Sequence, residues 1–302
     1  MSALIALALA TATPAACDAV WHDAARDRDV PVRISLPAGK SPVPLIVYSP
    51  GLGGDITTGG VWTRHWAANG LAVVQMQHAG SDGAVYRAGG TPEERRARVV
   101  AGTSPAQLLA RVGDARFVLS EVGRRGREGG CDLTRIDTDR VAIAGHSMGS
   151  WVAQGIAGQN FNGEPGLRDR RFRAALALSP TATPGTDAFA RVTIPFLSIT
   201  GTRDGVEDDA SPEIKAATLM ARTAGYRSMP ADGRKCLIVI DGTRHMMLAG
   251  SGAATEPLTR HAETVTKAAS TAFLVAALAG KPVRPGDGVR GTLAVGDVLT
   301  CK

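Results

Sequence analysis

Short apolar runs alternate with longer amphipathic stretches along most of the chain. Apolar runs of about 4–8 residues are typical of strands buried on both faces of a sheet, and longer stretches with one apolar side are typical of the helices that cover it. The predicted buried strands are 44–48, 70–77, 141–144, 172–179, 194–200 and 235–240, and the predicted helices are 58–68, 91–101, 107–122, 150–157, 213–224 and 258–278. This alternation predicts an α/β fold with a mostly parallel sheet between two layers of helices.

Weaker patterns complete this picture. Alternating Val32, Ile34 and Leu36 predict an antiparallel strand at an edge of the sheet, and 292–298 is predicted to form a short strand in the polar C-terminal tail. Only 180–193 separates two of the predicted core strands, which leaves room for a small cap or none. Since ligands of such sheets bind at the carboxyl ends of the strands, we expect a functional site there.

The clearest chemical signal is the pentapeptide GHSMG at 145–149, between a predicted strand and a predicted helix. Strand, GxSxG and helix in succession are typical of a nucleophile elbow, in which a strained turn lifts the serine hydroxyl clear of the sheet. Gly145 and Gly149 have no Cβ and allow the strand and the helix to approach each other. A Gly-Ser turn in a loop is the alternative in a chain with 36 glycines, but the flanking elements favour Ser147 as a nucleophile.

A serine nucleophile needs a histidine base and a carboxylate that orients the base, and after an elbow the chain order is serine, acid, histidine. Only two of the six histidines follow Ser147 at a distance, and one of them, His261, lies within a predicted helix. His245 follows the last predicted core strand, so we expect it to be the base. His146 directly precedes the serine, and its side chain is expected to point elsewhere.

The acid is expected at the end of the predicted strand 194–200. Asp204 lies in the Gly-flanked turn that follows this strand and is our choice. Asp208 is the main alternative, in an acidic loop that a solvated surface would explain equally well.

Acyl transfer also needs N–H donors for the tetrahedral oxyanion. One is expected to be the backbone N–H of Met148, the residue after the nucleophile. The other is expected in the Gly-rich loop after strand 44–48, where Leu52 is our choice and Gly53 the alternative.

A substrate pocket is expected beside these groups, with His78, Trp151 and Met247 as candidate lining residues. His78 follows a predicted strand, and a capping hydrogen bond is the other explanation for it. Trp62 and Trp66 are further candidates for the pocket, but core packing is the better explanation for at least two of Trp62, Trp66, Trp151 and Met247.

With these residues placed, the chain resembles the α/β-hydrolases that join dienelactone-hydrolase-like proteins to platelet-activating-factor-acetylhydrolase-like serine esterases. The resemblance covers about residues 20–280 and is carried by DAARDRDVPVRISLP, SPGLGG, QHAGSD, GHSMGS, ITGTRDG and GTRHMM. It implies an α/β-hydrolase fold with Ser147 as nucleophile, Asp204 as acid, His245 as base, and Leu52 and Met148 as oxyanion donors.

The same resemblance implies hydrolysis of a small-molecule or lipid-like carboxylic ester without a metal or an organic cofactor. Dienelactone hydrolases proper use a cysteine nucleophile, so Ser147 indicates a different substrate. A lipase or cutinase-like polyesterase of the same mechanism, a serine peptidase or amidase, and a non-catalytic binding protein of the same fold are the alternatives.

Charge and aromatic content indicate which kinds of partner the protein binds. The net charge is +6, but the basic residues are scattered and aromatic residues make up only 4%, whereas a nucleic-acid groove combines a basic stripe with stacking rings. We therefore expect no nucleic-acid partner. No run reaches the roughly 18 apolar residues of a membrane span.

The N-terminus and the cysteines bear on localisation. The apolar, small-residue stretch 3–16 predicts a signal peptide at 1–16, followed by a single exported domain at 17–302 that is periplasmic or secreted. Four cysteines, Cys17, Cys131, Cys236 and Cys301, permit three disulfide pairings. Lipid attachment at Cys17 is a minor alternative.

Overall fold

The computed structural model describes residues 14–161, 165–181, 188–252, 254–283 and 286–302. The strands are β1 (Ala15–Asp23), β2 (Arg28–Leu36), β3 (Val43–Ser49), β4 (Ala72–Met76), β5 (Arg127–Glu128), β6 (Cys131–Asp132), β7 (Ile136–His146), β8 (Phe172–Leu178), β9 (Phe196–Arg203), β10 (Lys235–Arg244) and β11 (Val298–Cys301). The helices are α1 (Gly60–Ala68), α2 (Ala84–Arg87), α3 (Pro92–Gly102), α4 (Pro105–Arg124), α5 (Met148–Ala157), α6 (Pro212–Ser228), α7 (Pro257–Leu278) and α8 (Asp287–Arg290).

Nine strands form one sheet in the order β1-β2-β4-β3-β7-β8-β9-β10-β11. The six strands from β4 to β10 in this order pair in parallel, whereas β1, β2 and β11 pair antiparallel at the two sides. This arrangement confirms the predicted α/β class with a mostly parallel sheet. The carboxyl ends of β3, β7, β9 and β10 therefore lie along the same edge, where the candidate site is found.

Helices cover both faces of the sheet, and the strand residues alternate between two apolar cores. Leu45 and Val47 of β3 pack in the core beneath α4 and α5, whereas Ile46 and Tyr48 pack in the core beneath α1 and α7. Because neighbouring residues of a strand point to opposite faces, a continuous apolar run serves both cores at once.

Helix α7, with 22 residues the longest helix among those described, carries charged side chains along its outer side, among them Arg260, Glu263 and Lys267. Lys267 pairs with Glu263 one turn away at 2.9 Å. No helix in the described ranges is both long and apolar enough to cross a membrane.

The prediction of β2 as an edge strand was wrong, because β1 lies outside it and pairs with it over its whole length. Ala15 and Ala16, at the end of the predicted signal peptide 1–16, already belong to β1 and lie opposite Leu36 and Ser35. The sheet thus begins two residues before the predicted start of the domain. Residues 1–13 of that predicted peptide lie outside the described residues.

The predicted strand 292–298 was also wrong, since only its last residue is in a strand. Gly296 adopts a φ of 100°, and the Asp297 carboxylate accepts hydrogen bonds from the backbone N–H groups of Ala294 and Asp241. These contacts form a turn, in which the backbone N–H of Asp297 donates to Ala294 O (3.1 Å) and the side chain of Val295 is exposed.

Two disulfides join distant parts of the chain. Cys17 of β1 is bonded to Cys131 of β6, and Cys236 of β10 is bonded to Cys301, which lies directly opposite in β11. Because its sulfur is in a disulfide, Cys17 cannot also carry a thioether-linked lipid. The alternative of a lipid anchor at Cys17 was therefore wrong. Disulfides of this kind are typical of proteins in oxidising compartments.

Replacing both cysteines of either disulfide by serine is expected to lower the free energy of unfolding by about 2–5 kcal/mol, because the bonds close long loops, of 114 and 65 residues. Urea denaturation of Cys17→Ser/Cys131→Ser and Cys236→Ser/Cys301→Ser, beside oxidised and reduced wild type, measures the change. Equal unfolding midpoints for the oxidised wild type and a double variant would contradict a stabilising role for that bond.

Candidate active site

The turn between β7 and α5 holds Ser147 in a strained backbone conformation. Its φ is 53° and its ψ is −117°, a combination that costs a non-glycine residue about 1–3 kcal/mol. The turn is fixed by hydrogen bonds from the N–H of Ser147 to Leu178 O (3.0 Å) and from the N–H of Ser150 to Ser147 O (2.9 Å). The serine side chain consequently stands at the edge of the sheet and lines an open cleft.

Glycines on both sides of Ser147 permit this turn. A Cβ at Gly149 would overlap the carbonyl oxygen of Ser49 at the end of β3, and a Cβ at Gly145 would overlap the backbone of Gly149. The sequence requires glycine at both positions because three backbone segments meet there without room for a side chain.

The structure brings Ser147, His245 and Asp204 together in a line of hydrogen bonds. His245 Nε2 lies 2.9 Å from Ser147 Oγ, and His245 Nδ1 lies 2.7 Å from Asp204 Oδ1. Since the carboxylate accepts, the imidazole N–H is on Nδ1, and the lone pair of Nε2 faces the serine hydroxyl. The arrangement is suited to proton transfer from the hydroxyl to the imidazole.

Asp204 is buried and ionised. Burial alone would raise the pKa of its carboxyl group, but the hydrogen bond from His245, the charge of Arg222 and the hydrogen bond from Thr200 Oγ1 (2.7 Å) together hold this pKa below its ordinary value. The alternative acid, Asp208, instead pairs at the surface with Arg203 and is more than half exposed.

His146 has a role that sequence reasoning missed. Its side chain was expected to point elsewhere, but its ring packs against the ring of His245 with centroids 4.8 Å apart, and its Nε2–H donates to the backbone carbonyl of His245 (3.1 Å). Burial lowers the pKa of His146 to about 3, so the ring is uncharged. The residue before Ser147 thus holds the loop that carries His245.

The cleft around Ser147 is open, and its walls come from four separate segments. They are Gly51, Leu52, Gly53, Gly54, Thr58, Tyr86, His146, Ser147, His245, Met246, Ala249 and Ser251. Tyr86 and Met246 are the large side chains that it leaves exposed, 49% and 69% respectively. Mechanistically, the cleft can admit a carbonyl group beside Ser147 while the rest of a ligand extends towards solvent.

Several residues predicted for the pocket do not line this cleft. Trp151 is partly buried and packs against Phe161, 6.5 Å between ring centroids, in the core beneath α5. Met246 lines the cleft where Met247 was predicted, because the one-turn helix at His245–Ala249 turns neighbouring side chains in different directions. Trp62 and Trp66 are fully buried and belong to the core, as the alternative explanation held.

His78 was also predicted to line the pocket, and this was wrong. It is fully buried between Ser49 Oγ (2.9 Å) and Asp114 Oδ2 (2.8 Å). Burial and the charges of Arg111 and Arg28 lower the pKa of His78 to about 4, although Asp114 opposes the shift. The neutral imidazole connects the end of β3 to α4 and makes no contact with the cleft.

A second buried group, Arg111 of α4, holds the loop that follows β3. Its guanidinium donates to Pro50 O (2.7 Å), Gly51 O (3.1 Å) and Ser81 Oγ (2.8 Å). Burial lowers the pKa of Arg111 to about 9, so the group is still charged at neutral pH. These bonds direct the loop carbonyls away from the cleft.

The expected oxyanion donors lie on either side of Ser147. Met148 is the first residue of α5, and its N–H therefore has no acceptor within the helix. In the loop after β3, the N–H of Gly53 donates to Ser81 O (2.9 Å) and that of Gly54 to Gly51 O (3.2 Å). Gly53, the alternative donor, is thus engaged elsewhere, which favours Leu52.

No protein-family model and no curated protein matches the chain in sequence. Among solved structures, a ferulic acid esterase from Streptomyces cinnamoneus is similar, with a TM-score of 0.60 and 19% sequence identity over 95% of this chain and 94% of that chain. This chain has the α/β-hydrolase fold. In the α/β-hydrolase fold the turn after the central strand presents the nucleophile, and Ser147 lies in that turn here.

The described residues include no group of three or more His, Cys, Asp or Glu side chains arranged to hold a metal ion. Asp204 is bonded to His245, Thr200 and Arg222, so its oxygens already have partners. The chemistry available at Ser147 from the chain itself is nucleophilic attack with general-base assistance.

Gly149→Ala is expected to prevent folding or to lower the free energy of unfolding by about 2–4 kcal/mol, because the new methyl group overlaps Ser49 O. Gly123→Ala is the matched control, since this glycine lies within α4 and a Cβ there meets its nearest neighbour at an ordinary 3.9 Å. Thermal and urea unfolding of both variants measure the difference. A Gly149→Ala protein as stable as wild type would contradict the steric requirement for glycine at this position.

Arg111→Met is expected to lower the free energy of unfolding by about 2–3 kcal/mol, because it leaves the buried Pro50 O without a donor and removes the bonds to Gly51 O and Ser81 Oγ. The matched control is Arg116→Met on the same helix, where the arginine also donates to two backbone carbonyls but near the surface. Its loss is expected to cost about 1 kcal/mol or less. Similar losses for the two variants in urea denaturation would contradict the role given to Arg111.

Proposed function

We propose that this protein is a serine hydrolase that cleaves carboxylic esters through an acyl-enzyme intermediate. The observation that carries the proposal is the line of hydrogen bonds from Ser147 Oγ through His245 to Asp204, at 2.9 and 2.7 Å, on an elbow with strained dihedrals. A serine with a purely structural role does not need a positive φ, an imidazole aimed at its hydroxyl or an open cleft beside it.

In the proposed reaction, Ser147 Oγ attacks the ester carbonyl carbon while its proton passes to His245 Nε2. The ionised Asp204 stabilises the resulting imidazolium. The tetrahedral intermediate collapses as the C–O bond to the alcohol breaks, and His245 gives its proton to the departing alkoxide. A water molecule then attacks the acyl-serine by the same route, and the acid is released.

The backbone N–H groups of Met148 and Leu52 are the proposed donors to the oxyanion. Met148 contributes the N-terminal end of α5, whose aligned peptide dipoles favour negative charge. The bonds from Arg111 to the carbonyls of Pro50 and Gly51 support Leu52 in this role, because they fix the plane of the loop peptides.

The substrate is proposed to be a small-molecule or lipid-like ester. The similar structure is a ferulic acid esterase, which supports ester hydrolysis as the reaction class. A lipase or cutinase-like polyesterase of the same mechanism is the second candidate, favoured by the open cleft in which Tyr86 and Met246 remain exposed. The closer relationship to dienelactone-hydrolase-like and platelet-activating-factor-acetylhydrolase-like esterases is part of the proposal and rests on the sequence motifs.

The protein is further proposed to be exported. The two disulfides support an oxidising compartment, and the apolar N-terminal stretch supports secretion.

Hydrolysis of p-nitrophenyl esters from acetate to palmitate by wild type and Ser147→Ala tests the proposal. The variant is expected to lose about 10⁴-fold or more in kcat, because the nucleophile is gone. Ser120→Ala is the control, since this exposed hydroxyl on α4 bonds only to Arg116 O and Arg171 among the described groups. The preferred chain length separates an esterase from a lipase.

Folded wild type that hydrolyses none of these esters and resists a fluorophosphonate probe would overturn the enzyme proposal. A non-catalytic binding protein of the same fold would then be the better explanation. Activity retained by Ser147→Ala would instead leave an esterase with a different nucleophile.

A further inference from the structure

Arg222 of α6 reaches into the turn that carries Asp204. Its guanidinium donates through Nε to Asp204 O (3.0 Å), and through Nη1 to Ser179 O (3.2 Å) and Thr181 Oγ1 (2.8 Å). The side chain is 14% exposed. Three bonds to two separate segments hold this cation in one position beside the candidate active site.

The remaining nitrogen of the guanidinium faces the pair of His245 and Asp204. Nη2 lies 3.3 Å from Asp204 Oδ1 and 3.4 Å from His245 Nδ1. Because Nδ1 already donates its hydrogen to Oδ1, Nη2 and Nδ1 are two donors converging on one oxygen. A proton added to the imidazole therefore places a second positive charge close to Arg222.

The backbone around the guanidinium is shaped to receive it. Ser179, at the end of β8, has a φ of 51°, unusual for a residue with a side chain, and its carbonyl accepts from Arg222. Gly205 has a φ of 90°, and a Cβ there would lie 2.6 Å from Nη2. The positive φ of Ser179, which carries a side chain, is the strained conformation, and its carbonyl is the one that binds the cation.

We propose that Arg222 is a positioning residue that fixes the Asp204 carboxylate and, through its charge, disfavours the protonated form of His245. This inference rests on the proposed function, in which the neutral imidazole is the base. Its consequence is that hydrolysis continues at lower pH than it would without Arg222. On the acid side, activity falls when the imidazole gains its proton, so a nearby fixed cation moves that fall to lower pH.

The charges of the other groups around His245 do not replace the effect of Arg222 on the protonation of its imidazole. His146 is uncharged, because burial lowers its pKa to about 3, and Asp204 is ionised, because its pKa lies below the ordinary value. The nearby exposed charges belong to Arg203 and Arg244, which both pair with Asp208 at the surface. Solvent and salt screen their effect on the imidazole.

The test compares Arg222→Met, Arg222→Gln and Arg222→Lys in the full chain, with kcat and KM for p-nitrophenyl acetate followed across pH. The two uncharged variants are expected to move the acid limb of kcat/KM upward by about one pH unit, because the imidazolium no longer meets the guanidinium. Arg222→Lys keeps the charge but lacks the planar fork. Its acid limb is expected to stay near that of wild type while kcat falls and KM changes little.

Arg244→Met is the matched control, since it removes one positive charge from the residue next to His245 but from an exposed position. Its acid limb is expected to stay in place. NMR titration of the His245 ring in wild type and Arg222→Gln gives a readout that needs no catalysis. If the wild type hydrolyses nothing but the titration midpoint still moves upward in the variant, the proposed function fails and the assignment of Arg222 stands.

Loss of stability alone would indicate a structural role. An unchanged acid limb and an unchanged His245 titration in Arg222→Gln would overturn the inference, whatever the unfolding midpoint. If Arg222→Met does not fold, the comparison of Arg222→Gln with Arg222→Lys decides, because these two differ in charge while both lack the arginine fork.

Discussion

The close contact between the turn that carries Ser147 and the end of β3 is the constraint on which the rest of the candidate site depends. A Cβ at Gly149 would overlap the carbonyl of Ser49, and a Cβ at Gly145 would overlap the backbone of Gly149. This contact forces the serine between them into a positive φ, and the same contact brings the loop after β3 alongside it. One packing requirement thus sets both the direction of the Ser147 hydroxyl and the position of the loop that carries Leu52.

The structure holds two sets of serine, histidine and carboxylate side chains, which differ in burial and in the charges around them. Ser49, His78 and Asp114 form a serine–histidine–carboxylate line with distances of 2.9 and 2.8 Å, close to those at the candidate site. All three side chains of that line are buried, and Arg26 and Arg28 also bind the carboxylate of Asp114. The neutral imidazole of His78 therefore only links β3 to α4. Residue types alone therefore do not identify a reactive serine; access to the hydroxyl does.

The sequence predicted the buried parallel strands, the elbow and the order of Ser147, Asp204 and His245, because strand ends and chain order are local properties. It did not predict which side chains surround them. Met246 lines the cleft where Met247 was expected, a displacement of one residue that depends on a single helical turn. Arg222 lies on a helix whose charge pattern is that of an ordinary surface helix, and only the packing of α6 against β9 brings it to Asp204. Such contacts depend on tertiary structure and have no sequence periodicity.

The position of His245 is tied to that of Ser147 by contacts within the protein. His146 directly precedes Ser147 and donates to the backbone carbonyl of His245, so a hydrogen bond joins the elbow to the loop of His245. From the other side, Arg222 binds the backbone of Asp204, which accepts from the same imidazole. His245 is therefore held at its backbone carbonyl by His146 and at its ring by Asp204. These contacts give the loop of His245 the fixed geometry that the proposed proton transfer between Ser147 and His245 would need.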